Sequence, residues 1–207
     1  MKKNKINKKF IYLVSPNKIQ DINFYDDLAL VLSSKKISFF QLRLKKETNS
    51  NRLIIGRKIK KICNKYKVKF LINDDPLLAK KLNADGCHLG QKDMNLIKAR
   101  KILKNKIIGV TCHNSINLAK RAINAGADYL AFGAFYASKT KIVRYRASLT
   151  VLKSIKKITS IPIVAIGGIT LNNYKKLLLN KANFLAISGY IWNNKRYKPL
   201  EAIRKLK

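Results

Sequence analysis

The chain has 207 residues, 47% of them apolar, with nine Gly and four Pro; this argues for one globular domain with a full core and against disorder. No apolar run reaches the roughly 18 to 20 residues that cross a bilayer, and Cys63, Cys87 and Cys112 lack CxxC spacing, which argues against a disulfide framework or a structural zinc site. The formal charge is +35, but the lysines are spread along every segment rather than gathered in one helix or tail, a pattern that suits steering of anionic substrates better than a specific nucleic-acid module.

Taken in order, residues 1–9 read as a basic arm that leads into a strand, not into the apolar stretch of a signal peptide, so a cytoplasmic protein is expected. The remaining 10–207 form the predicted domain. Strands are expected at 10–14, 37–44, 69–73, 86–90, 106–112, 129–135, 162–166 and 184–187. Between them, helical stripes fall at 28–32, 53–66, about 76–82, 94–104, 115–125, 147–158 and 172–180, and a final helix at 199–205. Pro76 suits a first helical turn, and Gly126 suits a C-cap. Eight strands alternating with helices at roughly 20 to 30 residue intervals predict parallel α/β architecture and, in one domain, a closed (β/α)₈ TIM barrel. A doubly wound sheet is the alternative. Ser15-Pro16-Asn17 after the first strand, in place of a Gly-rich turn, argues against a dinucleotide fold.

The loops that follow barrel strands share one face, which carries the active site. Asp74 and Asp93 lie just past consecutive strands, and they are two of only ten acidic residues. They suggest hard oxygen ligands for a divalent cation, with helix N-caps as the bland alternative. The i, i+2, i+4 spacing of Gln41, Arg43 and Lys45 puts all three on one side of the second strand, pointing into the barrel mouth, where they suit an anion; a solvated strand end is the alternative. The fifth strand brings Thr111 and His113, and the loop after the sixth brings Ser138, Lys139, Thr140 and Lys141. Gly167-Gly168 and Ser188-Gly189 allow backbone N–H groups to approach a phosphate monoester. Two anion sites are therefore expected: one across strands two to four for a diphosphate, and one across strands seven and eight for a single phosphate.

The stretches Gln41-Leu-Arg-Leu-Lys45, Leu71-Ile-Asn-Asp74, Ala84-Asp-Gly-Cys-His-Leu-Gly-Gln-Lys-Asp93, Gly109-Val-Thr-Cys-His113, Gly126-Ala-Asp-Tyr129, Phe132-Gly133 through Thr140-Lys141, and Val164-Ala-Ile-Gly-Gly-Ile169 run over nearly the whole chain. Together they resemble the thiamine-phosphate synthase family. The resemblance implies a (β/α)₈ barrel that joins 4-amino-2-methyl-5-(diphosphooxymethyl)pyrimidine to 4-methyl-5-(2-phosphooxyethyl)thiazole and releases diphosphate. It implies that Gln41, Arg43, Lys45, Asn73, Thr111 and Lys141 hold the pyrimidine diphosphate, with Arg43, Lys45 and Lys141 neutralising the leaving group. It assigns Mg²⁺ to Asp74 and Asp93. It assigns the thiazole phosphate to Ser138, Lys139, Thr140, Gly168, Ser188 and Gly189. Two small phosphorylated substrates are thus the expected partners, with no membrane and no specific nucleic acid; oligomeric state, a homo-oligomer included, is left open.

The chain departs from the family pattern in places. Asp75 replaces the Arg usual after Asn-Asp, and a second acid next to Asp74 is expected to alter the metal site. Ala134, Ala137 and Ser138 replace Pro, Pro and Thr, and Lys181 and Asn183 replace Gly and Asp. Ser188-Gly189-Tyr190 is closer to the sister thiazole tautomerases, in which a histidine at the position of His113 does acid–base chemistry. That isomerase is the alternative reading, but its pattern characteristically loses the acids and the Gln/Arg/Lys triplet present here. His113 is expected to be structural or substrate-lining, and His88 to enter barrel packing or a loop contact.

Overall fold

The computed structural model describes residues 9–19, 21–137 and 145–207. The arm, apart from Lys9, and the expected site residues Ser138, Lys139, Thr140 and Lys141 lie outside the described residues. The chain alternates β1 (Ile11–Val14), α1 (Asn23–Ser33), β2 (Ile37–Leu42), α2 (Asn49–Lys65), β3 (Lys69–Asn73), α3 (Pro76–Lys81), β4 (Gly86–Leu89) and α4 (Leu96–Leu103). It continues with β5 (Ile107–His113), α5 (Ile116–Asn124), β6 (Tyr129–Gly133), α6 (Leu149–Lys156), β7 (Ile163–Ile166), α7 (Tyr174–Leu179), β8 (Phe184–Ile187), α8 (Gly189–Trp192) and α9 (Pro199–Lys205). The strands pair in sequence order, all parallel, and β8 closes on β1. This is the expected (β/α)₈ barrel.

Side chains along each strand divide by the period of two. One set (Ile11, Leu13, Phe40, Phe70, Ile72, Leu130, Phe132, Leu185) faces the helices and joins the outer core with Leu28, Ile59, Leu152 and Leu177. The other set (Tyr12, Val14, Leu71, Tyr129, Ala131, Val164, Ala186) fills the barrel axis, with Phe39, Ile107 and Phe184 packed against it. A closed, fully covered sheet needs apolar residues on both faces, which is why these strands read as short continuous apolar runs.

A repeated device closes the end of the barrel away from the site. Asp85, Asp128 and Asn183 each precede a strand, and each side chain accepts the N–H that opens the neighbouring strand: Phe70 at 2.9 Å, Ile108 at 2.7 Å and Ile163 at 2.9 Å. Asn183 thus fills the role that a carboxylate plays at the other two positions.

Two differences from the expected elements bear on the site. The strand expected to run to residue 44 ends at Leu42, because the Arg43 N–H donates to Ser15 Oγ at 2.9 Å instead of continuing the ladder. Arg43 and Lys45 therefore sit on the loop, and only Gln41 is a strand residue. The second difference is α8, a single helical turn after β8, which sequence periodicity did not reveal; Gly-Tyr-Ile-Trp is too short to show a helical stripe.

Candidate active site at the barrel mouth

The carboxyl ends of β2, β3 and β4 bring one cation and two acids together. Lys45 Nζ lies 2.7 Å from Asp74 Oδ2. The Asp74 and Asp93 carboxyl groups stand close enough that each shifts the titration of the other. Asp74 adopts φ 64°, a left-handed conformation that Asp tolerates better than most residues, and its N–H is held by the His88 carbonyl at 2.8 Å. Asp93 Oδ2 accepts the Gly90 N–H at 2.6 Å, and a Cβ at Gly90 would fall 2.8 Å from that oxygen, so the turn needs glycine.

Neither acid is a helix cap. The cap of α3 is Asp75, whose side chain accepts from Leu78 N at 2.9 Å, and the cap of α4 is Asn95. Asp75 also pairs with Arg52 at 3.3 Å. The extra acid of this chain is thereby turned toward α2 and away from the Asp74–Asp93 pair.

The electrostatics of the pair follow from its crowding. Burial raises the Asp93 carboxyl, and the neighbouring Asp74 raises it further. Burial also acts to raise Asp74, but hydrogen bonds from Asp93 and Lys45 outweigh it and leave Asp74 below its ordinary value. Two like charges brought together push one carboxyl up and favour a cation beside them. Mg²⁺ commonly takes one or two protein carboxylates and completes its shell with water and substrate phosphate oxygens, which is the donor chemistry this pair provides. Among the described residues no group of three or more His, Cys, Asp or Glu side chains gathers at metal-binding spacing.

Gln41 is almost fully buried at the end of β2. The Arg43 guanidinium donates to Asn17 Oδ1 at 2.8 Å; burial lowers its pKa, and the Asp74 charge opposes that. Lys45, Asn73 and Asp74 line a cavity of about 210 Å³ with Glu47 and Arg52. Thr111 is half-buried at the end of β5, and its hydroxyl lies 2.8 Å from His88 Nε2. His113, at φ 52°, packs its ring on Tyr145 with centroids 4.2 Å apart and lines a separate cavity of about 370 Å³.

On the opposite side, Gly167 and Gly168 have φ 105° and 60°. A Cβ at Gly168 would fall 2.1 Å from the Ala137 carbonyl oxygen, and one at Gly167 would fall 2.3 Å from Ala134 Cβ. The close approach of residues 134–137 therefore demands both glycines by itself. Ser188 Oγ donates to the Ser15 carbonyl at 3.1 Å, and Trp192 Nε1 donates to the Val14 carbonyl at 2.7 Å, so α8 is anchored on the end of β1.

Comparisons with known proteins assign the chain to a family. The profile described as Thiamine monophosphate synthase matches residues 11–191. The chain is 91% identical, over all of both chains, to the thiamine-phosphate synthase of Pelagibacter ubique (strain HTCC1062). The chain belongs to the thiamine monophosphate synthase family. It is 38% identical to the thiamine-phosphate synthase of Nitrosomonas eutropha (strain DSM 101675 / C91 / Nm57) over 88% of this chain and 86% of that one. Among solved structures it matches the thiamine phosphate pyrophosphorylase of Pyrococcus furiosus with a TM-score of 0.83 at 26% identity, covering 98% and 96% of the two chains. The thiamine monophosphate synthase fold and family are thus common to sequence and structure, and the chain is an enzyme of the transferase class.

For a synthase of this family, the structure draws Gln41, Arg43, Lys45, Asn73, Asp74, Asp93 and Thr111 to one side of the mouth, and Gly168, Ser188 and Gly189 to the ends of β7 and β8. Sequence reasoning missed the residues that hold these in place. Ser15 and Asn17 fix the backbone and guanidinium of Arg43, and Tyr12 and Tyr129 lie beneath His88 and Thr111. The polar Ser15-Pro16-Asn17 turn after an apolar strand was the available signal for the first two.

Proposed function

We propose that this enzyme joins the pyrimidine diphosphate to the thiazole phosphate, yielding thiamine phosphate and diphosphate through a pyrimidine methylene cation. The observation that carries this reading is the Lys45–Asp74–Asp93 cluster, set beside Arg43 and Gln41 at the mouth of a family-matched barrel. Gln41, Arg43, Lys45, Asn73 and Thr111 bind the pyrimidine diphosphate. Lys141 joins them in this reading, and Ser138, Lys139 and Thr140 bind the thiazole phosphate with Gly168, Ser188 and Gly189. Asp74 and Asp93 hold Mg²⁺, which when bound supplies positive charge to the diphosphate oxygens.

The chain's own residues perform the rest. Arg43 and Lys45 stabilise the negative charge that grows on the departing diphosphate, which eases cleavage of the C–O bond. The electron-rich aminopyrimidine carries the resulting positive charge on its methylene carbon. The thiazole nitrogen, placed by its phosphate, supplies the electron pair for the new C–N bond. No nucleophilic side chain is needed. Among the described residues no helix is long and apolar enough to cross a membrane.

Replacing Asp74 or Asp93 with Ala tests the site. Each change is expected to lower Mg²⁺-dependent turnover on the order of 100-fold or more, with thermal unfolding used to confirm that the variant is folded. A folded variant at full rate would overturn the metal assignment. Nothing among the described residues or the relatives favours the isomerase alternative through His113.

A further inference from the structure

We infer that Tyr12, Tyr129 and His88 fix the hydrogen-bond polarity of Thr111, so that its hydroxyl faces the pyrimidine diphosphate as a donor and selects an unprotonated acceptor there, a ring nitrogen or a phosphate oxygen. The acceptor's identity rests on the proposed function; the polarity does not.

Four polar side chains form one chain inside the barrel. Tyr12 Oη lies 2.7 Å from Tyr129 Oη, Tyr129 Oη 2.8 Å from His88 Nδ1, and His88 Nε2 2.8 Å from Thr111 Oγ1. The lower end is sealed: Tyr12 and Tyr129 are 2% and 3% exposed. Phe39 packs on both rings, with centroids 5.4 and 6.3 Å away. The upper end is half-buried at the mouth. The tyrosine at the centre of the chain has a dedicated space, because a Cβ at Gly109 would fall 1.8 Å from the Tyr129 ring; Gly109 is the residue on β5 that lets the ring lie there.

Proton counting then sets the direction. Burial holds both phenols protonated, so each has one O–H to place. Among the described residues the Tyr12 hydroxyl has one hydrogen-bond partner, the Tyr129 oxygen. If Tyr129 donated to Tyr12, the Tyr12 O–H would be buried without an acceptor, a full desolvation cost with nothing to offset it. So Tyr12 donates to Tyr129, and Tyr129 donates to His88 Nδ1. The imidazole proton is then on Nε2, and it is donated to Thr111 Oγ1. Thr111 accepts from below, and its own proton is left to donate above, toward the mouth. An N–H at Nδ1 would turn Tyr129 back onto Tyr12 and leave one phenol O–H without an acceptor among the described residues. His88, Tyr129 and Tyr12 are thus positioning residues, and Thr111 is the one that meets substrate.

The test uses the full chain labelled with [15N]histidine. The sequence has two histidines, and His88→Asn identifies the His88 signals by their loss. The expected spectrum, with no substrate present, shows a hydrogen-bearing Nε2 and a bare Nδ1. A proton on Nδ1, alone or with one on Nε2, would overturn the polarity. The recognition step is read as binding of the pyrimidine diphosphate alone by calorimetry. Thr111→Val is expected to weaken binding about tenfold, and Thr111→Ser to restore it to within about twofold. Equal binding by Thr111→Val and the parent would overturn Thr111 as the donor, whatever the tautomer. Because neither readout needs turnover, failure of the proposed reaction would show separately, as binding without product.

Discussion

Asp85 shows how one carboxylate ties the foot of the barrel. It accepts from Phe70 N at 2.9 Å, Lys60 Nζ at 3.0 Å and Lys69 Nζ at 3.2 Å. Burial acts to raise its carboxyl, but the Phe70 N–H and the two ammonium groups outweigh burial and hold it below the ordinary 3.8. A folded value below the unfolded one means that the unfolded chain takes up the proton more readily. The stabilisation is therefore complete above the ordinary carboxylate value and is lost as pH falls through and below it. Asp85→Ala is expected to cost about 1–3 kcal/mol at neutral pH, measured by urea unfolding, and to flatten the acid limb of stability against pH. An unchanged acid limb would contradict this. The meeting of Asp74 and Asp93 was legible in the sequence because both stand just past strand ends in a chain poor in acids. The capping role of Asp75 was not, because adjacent acids at a helix start differ only in backbone angle. The Tyr12–Tyr129–His88–Thr111 chain was not legible either; it joins positions that meet only once the barrel closes and its register is known.

At the scale of elements, the strands were the most readable parts. The runs at 69–73 and 184–187 coincide with β3 and β8, because both are apolar stretches bounded by polar turns. Ends were less readable where a side chain replaces a ladder partner, as Ser15 does at Arg43. Helix C-termini tell a further story. Lys35, Lys67, Lys104 and Lys181 all have positive φ, at positions just past α1, α2, α4 and α7 where glycine is the favoured residue. Lys181 is one of the departures from the family pattern, and its φ of 78° explains the glycine usual there. Lys104, at φ 50° and ψ −115°, is outside even the left-handed helical region. Lys104→Gly is expected to stabilise the protein by about 0.5–1 kcal/mol, after allowing for the greater entropy of glycine in the unfolded chain. Calorimetry would show a rise in Tm of about 1–4 °C. A fall in Tm would show that Lys104 contributes contacts that outweigh its backbone strain.

The whole molecule is a closed barrel with a strong excess of positive charge. Its charge of +35 has a kinetic consequence, because both proposed substrates are phosphorylated anions. Long-range attraction raises encounter rates and is screened once the Debye length falls to a few ångströms. Raising salt toward about 1 M is expected to lower kcat/KM severalfold through KM, with kcat little changed. A salt-independent KM would mean that only local contacts capture substrate. The barrel itself was legible from the count and spacing of alternating elements, whereas α8 and the anchoring of the mouth by Ser15, Asn17 and Trp192 depend on contacts of the end of the first strand with the segments that follow the second and the last. The most direct measurement of the proposed reaction is product formation by the purified protein with both phosphorylated heterocycles, with Mg²⁺ and with chelator. Thiamine phosphate and diphosphate in equal amounts, formed with Mg²⁺ and abolished by chelator, are the expected result. Turnover of the thiazole phosphate alone, indifferent to Mg²⁺, would contradict it.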